Sequence, residues 1–197
     1  AASRARLFGS SAAMFESFAQ PLLEEIADNG TAVKITRGAG SGTQVFTAEV
    51  NGAKLGLSHP KQRQPEWGGP FDVISSAVIS VVRHRANSRG WLGRSHSLWF
   101  CDAHRAGEYG WYELAFMHTP PSRDIEPFAA QSESAADYFA GVYEVGQLAW
   151  PVTEIDRDDP SDFIDRWLGW FTDAAEGTLD MPSTMPERVA RGTWRTK

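Results

Sequence analysis

Between Ser95 and Pro120 the chain reads SHSLWFCDAHRAGEYGWYELAFMHTP. Two bulky arms flank a polar turn, His104 to Gly110. Leu98, Trp99, Phe100 and Cys101 lie on the first arm; Trp111, Tyr112, Leu114, Phe116 and Met117 lie on the second. Side chains of this size at this density suit a pleated surface packed on both faces. The stretch predicts a β-hairpin at the centre of a sheet. The rest of the chain must then supply further strands and a cover.

The flanking sequence supplies the strands. Thr31–Arg37 alternates and runs into Gly38-Ala-Gly-Ser-Gly42; Thr43–Val50 and Ala53–Leu57 follow, separated by Asn51-Gly52. Asn-Gly between two alternating runs predicts a type I′ hairpin turn, which needs positive φ at both positions. The glycine-rich segment leads into strand-like sequence and carries no lysine, so it reads as a turn and not as a phosphate loop. Asp72–His84 matches a helical face at Ile74, Ala77, Val78, Val81 and Val82, but its β-branched excess favours a strand. Val142–Ile155 reads as another strand, broken or ended near Pro151.

Helices are predicted at both ends. Residues 1–10 read as a loose basic lead-in. Ser11–Asn29 carries Phe15, Phe18, Leu22 and Ile26 at helical spacing, with Ser10 or Ser11 as cap and Asn29-Gly30 as stop. Pro21 predicts a kink or a division into two short helices. Ser132–Phe139 predicts a short helix. From Asp159, a cap followed by Pro160 opens an aromatic helix with Phe163, Trp167, Trp170 and Ala174 on one stripe, ended by Gly177. The tail, 178–197, carries Trp194 and is expected to dock on the domain. This order has no βαβ rhythm. It predicts one α+β domain over residues 1–197: a single antiparallel sheet of about six to seven strands, flanked by an N-terminal and a C-terminal helix.

Composition narrows the function classes. A chain of 197 residues that is 42% hydrophobic can bury one sizeable core. A formal charge of −6 argues against general nucleic-acid binding. No apolar run approaches the ~20 residues of a membrane span. The single cysteine, Cys101, allows no intramolecular disulfide or multi-cysteine metal site, and suits a reducing, cytoplasmic compartment. Alternation puts its thiol on the face of Trp99, where it is expected to be buried and inert.

The charge is uneven. Arg83 to Arg105 holds five arginines against one carboxylate, whereas Asp124 to Asp180 holds fourteen carboxylates against two arginines. Such a dipolar surface steers charged partners. The favoured reading is therefore a non-catalytic binding or protein-interaction module of a bacterial-type cytoplasmic system. Arg83, Arg85, Arg89 and Arg94 form its basic patch for an anionic ligand or an acidic protein. Trp67, in the polar loop Ser58–Pro70, is the accompanying contact. A second copy, with its own acidic half, is one such partner, which adds a homo-oligomer to this reading.

The alternative is a small hydrolase-like enzyme. Alternation places Asp102 and His104 together near the turn, on the face of His96, Leu98 and Phe100, with Glu113 among aromatics on the other arm. Asp102 would fix the His104 tautomer, and Glu113, raised by an apolar setting, would serve as acid. The plainer reading leaves Asp102 and His104 solvated and pairs Glu113 with Arg83 or Arg94. No tight ligand spacing is present among the five histidines, and no nucleotide or hydrolase motif appears. Neither reading calls for a metal or a cofactor.

Overall fold

Asn51 and Gly52 have φ of 49° and 78°, the left-handed pair that a two-residue hairpin needs. That turn lies inside a seven-stranded antiparallel sheet whose strands follow one another in chain order. The computed structural model describes residues 2–29, 33–38, 43–60, 72–84, 91–116 and 148–179. The strands are β1 (Lys34–Gly38), β2 (Thr43–Val50), β3 (Ala53–Pro60), β4 (Ser75–His84), β5 (Trp91–Arg105), β6 (Glu108–Phe116) and β7 (Leu148–Glu154). Two helices, α1 (Ala2–Asn29) and α2 (Ser161–Glu176), flank the sheet. The predicted α+β layout is what the chain adopts.

Alternation decides which side chains meet the helices. Phe46, Leu55, Leu57, Ile79, Val81, Leu98, Phe100 and Trp111 share one face and join Phe18, Leu22, Ile26, Phe163, Trp167 and Phe171 in one core. A run of edge-to-face rings links the layers: Phe15 to Trp111 at 5.4 Å, and Phe18 to Phe163 at 5.2 Å. Such pairs add stability beyond the area they bury. Trp99, Cys101 and Tyr112 point to the opposite face and are buried too. From Leu98 to Cys101 and from Trp111 to Glu113 the arms are thus buried on both faces, as their composition predicted.

The Asp72–His84 segment forms a strand from Ser75, with neighbours on both sides. Its Ala77, Ile79 and Val81 are buried while Val78 is 45% exposed, the period of two that a strand shows. Pro151 is accommodated in β7, an edge strand in which three steps (Trp150 to Thr153) face two steps of β6 (Glu113 to Ala115). Edges and bulges are where a strand tolerates a residue without an N–H. The central turn is shorter than predicted: Arg105 pairs with Glu108, leaving Ala106 and Gly107 (φ 83°) as its tip.

The N-terminal prediction needs correction. Residues 2–10 are not a loose lead-in but the first turns of α1. Tertiary contacts hold them there: Arg4 pairs with Asp72 and donates to the Val73 carbonyl at 3.1 Å. Leu7 and Phe8 pack against the core. Ser11 is not a cap. It is buried mid-helix, with Oγ donating to the Phe8 carbonyl at 2.6 Å and its own carbonyl accepting from Trp111 Nε1 at 2.9 Å. Pro21 does not divide the helix, which runs unbroken to Asn29. An interior proline costs about 3 kcal/mol. Burying Leu22, Leu23 and Ile26 returns roughly 1.5–3 kcal/mol each.

At the other end Asp159 Oδ1 accepts from Ser161 N and Oγ, at 3.3 and 2.6 Å, while Pro160 occupies the capping position itself. Gly177 (φ 77°) ends α2, and the N–H groups of Thr178 and Leu179 turn back to the Asp173 carbonyl, a left-handed cap that only glycine adopts freely. Leu179 is buried. The tail beyond residue 179, expected to dock, the helix predicted at Ser132–Phe139, and Trp67, Arg85 and Arg89 lie outside the described residues.

Candidate functional site

Donors from β5 and α2 converge on Glu113. It occupies the helix-facing side of β6, paired with Leu98 of β5. His96 is two residues from Leu98 and faces the same way, so its ring reaches the Glu113 carboxylate diagonally across the strands. His96 Nδ1 lies 2.8 Å from Glu113 Oε2. From above, α2 adds two donors one residue apart. Arg166 Nη1 donates to Oε2 at 2.8 Å, with Nη2 at 2.6 Å from Oε1, and Trp167 Nε1 donates to Oε2 at 2.7 Å.

The carboxylate is 1% exposed. Burial alone pushes its pKa up, but the hydrogen bonds and charges of His96 and Arg166 outweigh that and hold it below the usual carboxylate range. Glu113 is therefore an ionised acceptor at neutral pH. The raised, proton-donating Glu113 expected from its apolar neighbours is not what forms, because the same burial brings three cationic or N–H donors. An ionised acceptor also fixes the histidine: Nδ1 carries the hydrogen.

Aromatic rings surround this group. His96 meets Trp167 and Trp170 edge-on at 5.0 and 5.5 Å, and the two indoles meet each other at 4.8 Å and 89°. The guanidinium carbons of Arg94 and Arg166 each stand 5.4 Å from the Trp170 ring centroid, within cation–π range. Arg94 is buried, with Nη1 donating to the Gly93 carbonyl at 3.1 Å. It belongs to a strand and not to an exposed basic connector.

The other expected residues have separate settings. Asp102 Oδ1 accepts from the Asp72 N–H at 2.8 Å and Oδ2 from the Gly107 N–H at 2.9 Å, so its carboxylate ties the β5–β6 turn to the start of β4. His104 is exposed and stacks on Tyr112 at 6.3 Å and 25°. Tyr112 belongs to the face opposite His96. The irregular pairing between Cys101 and Arg105 breaks the alternation that had put His104 with His96. Asp102 is four residues from Leu98, the partner of Glu113, or roughly 13 Å along the strand. Arg83 Nη1 donates to the Ala174 carbonyl and, at 3.0 Å, to that of Ala175, closing the C-terminal end of α2.

No family model, curated protein or solved structure matches the chain.

The sequence placed Trp167 on a helical stripe and His96 on a strand face without giving either a role at Glu113, and it did not single out Arg166. The one available signal was the two-residue turn at Ala106-Gly107. Taken as the hairpin tip, it comes closer to the register that carries His96 to Glu113. Nothing local marks Arg166 as the helix partner. A second feature lies at the far end of the same hairpin: a recess of about 450 Å³ between the β5–β6 turn and the loop that joins β7 to α2. Among the described residues no group of three or more His, Cys, Asp and Glu side chains could hold a metal ion, and no helix is long and apolar enough to cross a membrane.

Proposed function

We propose that the protein is a non-catalytic binding module whose contact with an anionic ligand or an acidic protein is made by Arg85 and Arg89. The observation that carries this reading is the fate of the acid–base candidates. Glu113 is surrounded by donors that hold it ionised, and Asp102 is occupied by two backbone N–H groups. The hydrolase-like alternative asks these groups and His104 to act on one substrate, and their separate settings give it less support. Arg83 and Arg94 serve the fold, so the basic-patch reading contracts to Arg85 and Arg89, with Trp67 beside them in the same proposal. The acidic half of a second copy is one candidate partner. A reducing, cytoplasmic setting belongs to the same reading and rests on the single buried thiol, Cys101.

The test is a thermal-shift screen with phosphate, nucleotides and poly-glutamate. A ligand that binds only the folded state raises Tm with concentration. A rise that is lost in Arg85→Glu/Arg89→Glu supports the reading. Turnover of ester or phosphoester substrates that disappears in His104→Ala overturns it in favour of the enzyme.

A further inference from the structure

We propose that the recess beside the β5–β6 turn binds an organic cation, an alkylammonium or guanidinium group, at the Glu154 carboxylate. The proposal stands or falls independently of the one made for Arg85 and Arg89. Its volume of about 450 Å³ lies within the range of small-ligand pockets.

Gly110 is part of its lining. A Cβ there would stand 3.1 Å from Glu154 Oε1, so the carboxylate lies close against the glycine. Glu154 pairs with Tyr112 in the β6–β7 ladder and has no ion-pair partner among the described residues. Met14, Ile155 and the half-buried Tyr109 ring line it from the helix-facing side, and Glu154 and the Tyr112 ring line it from the opposite face. An apolar wall beside an aromatic face and a carboxylate suits a charged head on a short carbon stem.

The charge balance points the same way. Two arginines and His104 face four carboxylates around the recess. Arg105 is taken by Glu108 at 2.9 Å and Arg157 stands 3.9 Å from Asp158, both at the exposed rim. That leaves Glu154 and Asp156 uncompensated. Asp156 is fixed in place by the N–H groups of Asp158 and Asp159. Tyr112 responds to this field: burial first, and then the charge of Glu154, push its hydroxyl up to about 12. It therefore stays a neutral phenol beside the carboxylate. The carboxylates are spread along the rim and no three of them converge for a metal, which favours a delocalised or alkyl-bearing cation over a bare ion.

The source of the cation is either a free amine or a lysine or arginine side chain of a partner protein. Both are read by the amide resonances of Gly107 and Gly110 in ¹⁵N-labelled protein. The probes are n-butylammonium, capped tripeptides with central lysine or arginine, and butyrate as the anionic control. Saturable shifts with the cations, absent with butyrate, are expected with Kd on the order of millimolar. A peptide that binds at least about tenfold tighter than butylammonium assigns the cation to a protein partner; equal or weaker binding assigns it to a free amine. Glu154→Gln, at an exposed position, is expected to leave Tm unchanged and to weaken binding about three- to tenfold. The proposal is overturned if no cation gives a saturable shift, if butyrate gives the same one, or if Glu154→Gln leaves Kd unchanged.

Discussion

Trp167 Nε1 donates a 2.7 Å hydrogen bond to Glu113 Oε2, so the most buried indole of α2 is tied to the most buried carboxylate of the sheet. The same oxygen accepts from His96 and Arg166. A helix laid on a sheet by apolar contacts alone can slide or rotate. One ionised oxygen with donors from β5 and from two adjacent helix residues fixes both position and rotation, because each donor has its own direction.

Removing that carboxylate should be costly. Glu113→Leu leaves the Arg166 and Trp167 donors and the His96 N–H without their acceptor. Loss of one partner from a buried ionic group typically costs about 3–5 kcal/mol. Urea unfolding should show a loss of this size, and Arg166→Leu in the Glu113→Leu background should cost less than Arg166→Leu alone. An equal cost in both backgrounds would show that the two residues do not interact.

The pH dependence follows from the depressed Glu113 value. Its ordinary pKa of 4.5 falls on folding, so between the two values the unfolded chain binds more protons and stability rises with pH. The contribution is fully present above about pH 4.5 and is lost as pH falls through the folded value. Asp72 and Asp159 are also lowered and carry the same sign. The comparison that isolates Glu113 is therefore wild type against Glu113→Gln. The urea midpoint of the variant should fall less steeply between pH 5 and acid, and parallel curves would refute the assignment.

Two glycines should respond in opposite directions. A Cβ at Gly93 would stand 2.2 Å from the Val81 carbonyl oxygen of the neighbouring strand, whereas at Gly169 nothing lies within 4 Å. Gly93→Ala forces backbone apart and should cost at least about 1–3 kcal/mol. Gly169→Ala, on the exposed face of α2, should gain about 0.5–1 kcal/mol from helix propensity. Thermal denaturation distinguishes them by the sign of the Tm change.

Arg83 should act on one helix end. Its guanidinium supplies donors to the Ala174 and Ala175 carbonyls, and a cation at a helix C-terminus contributes about 0.3–2 kcal/mol. Arg83→Met should lower stability within that range and speed amide exchange in the last turn of α2 and at Thr178 and Leu179. Exchange that is unchanged there would remove the capping role.

Cys101 should be silent in the native state. Burial first, with smaller contributions from Asp102 and Asp72, pushes its thiol up to about 12, so almost no thiolate forms at neutral pH. Ellman's reagent should label it only at the rate of unfolding, and fast native labelling would contradict the burial.

Local chemistry was enough for much of this architecture. Asn51-Gly52 demands a hairpin because few other pairs accept two positive φ angles. Gly177 stops α2 for the same reason. Period-two alternation marked β2 and β3 as strands, and helical stripes marked the core faces of α1 and α2, since each is a property of one segment. The faces of β5 were legible as far as Cys101, where the pairing becomes irregular and His104 leaves the expected side.

What depended on distant parts of the chain was not legible. Residues 2–10 are helical because Arg4 finds Asp72, which is 68 positions away. Pro21 stays inside a helix because core burial outweighs its local cost. Arg83 and Arg94 look like an exposed patch in a basic segment, yet one reaches a helix end and the other lies under Trp170. Glu113 seemed a candidate acid because its neighbours in sequence are apolar; its actual partners come from 17, 53 and 54 positions away. A side chain's charge state follows from the groups packed around it in three dimensions, and that packing belongs to the fold as a whole.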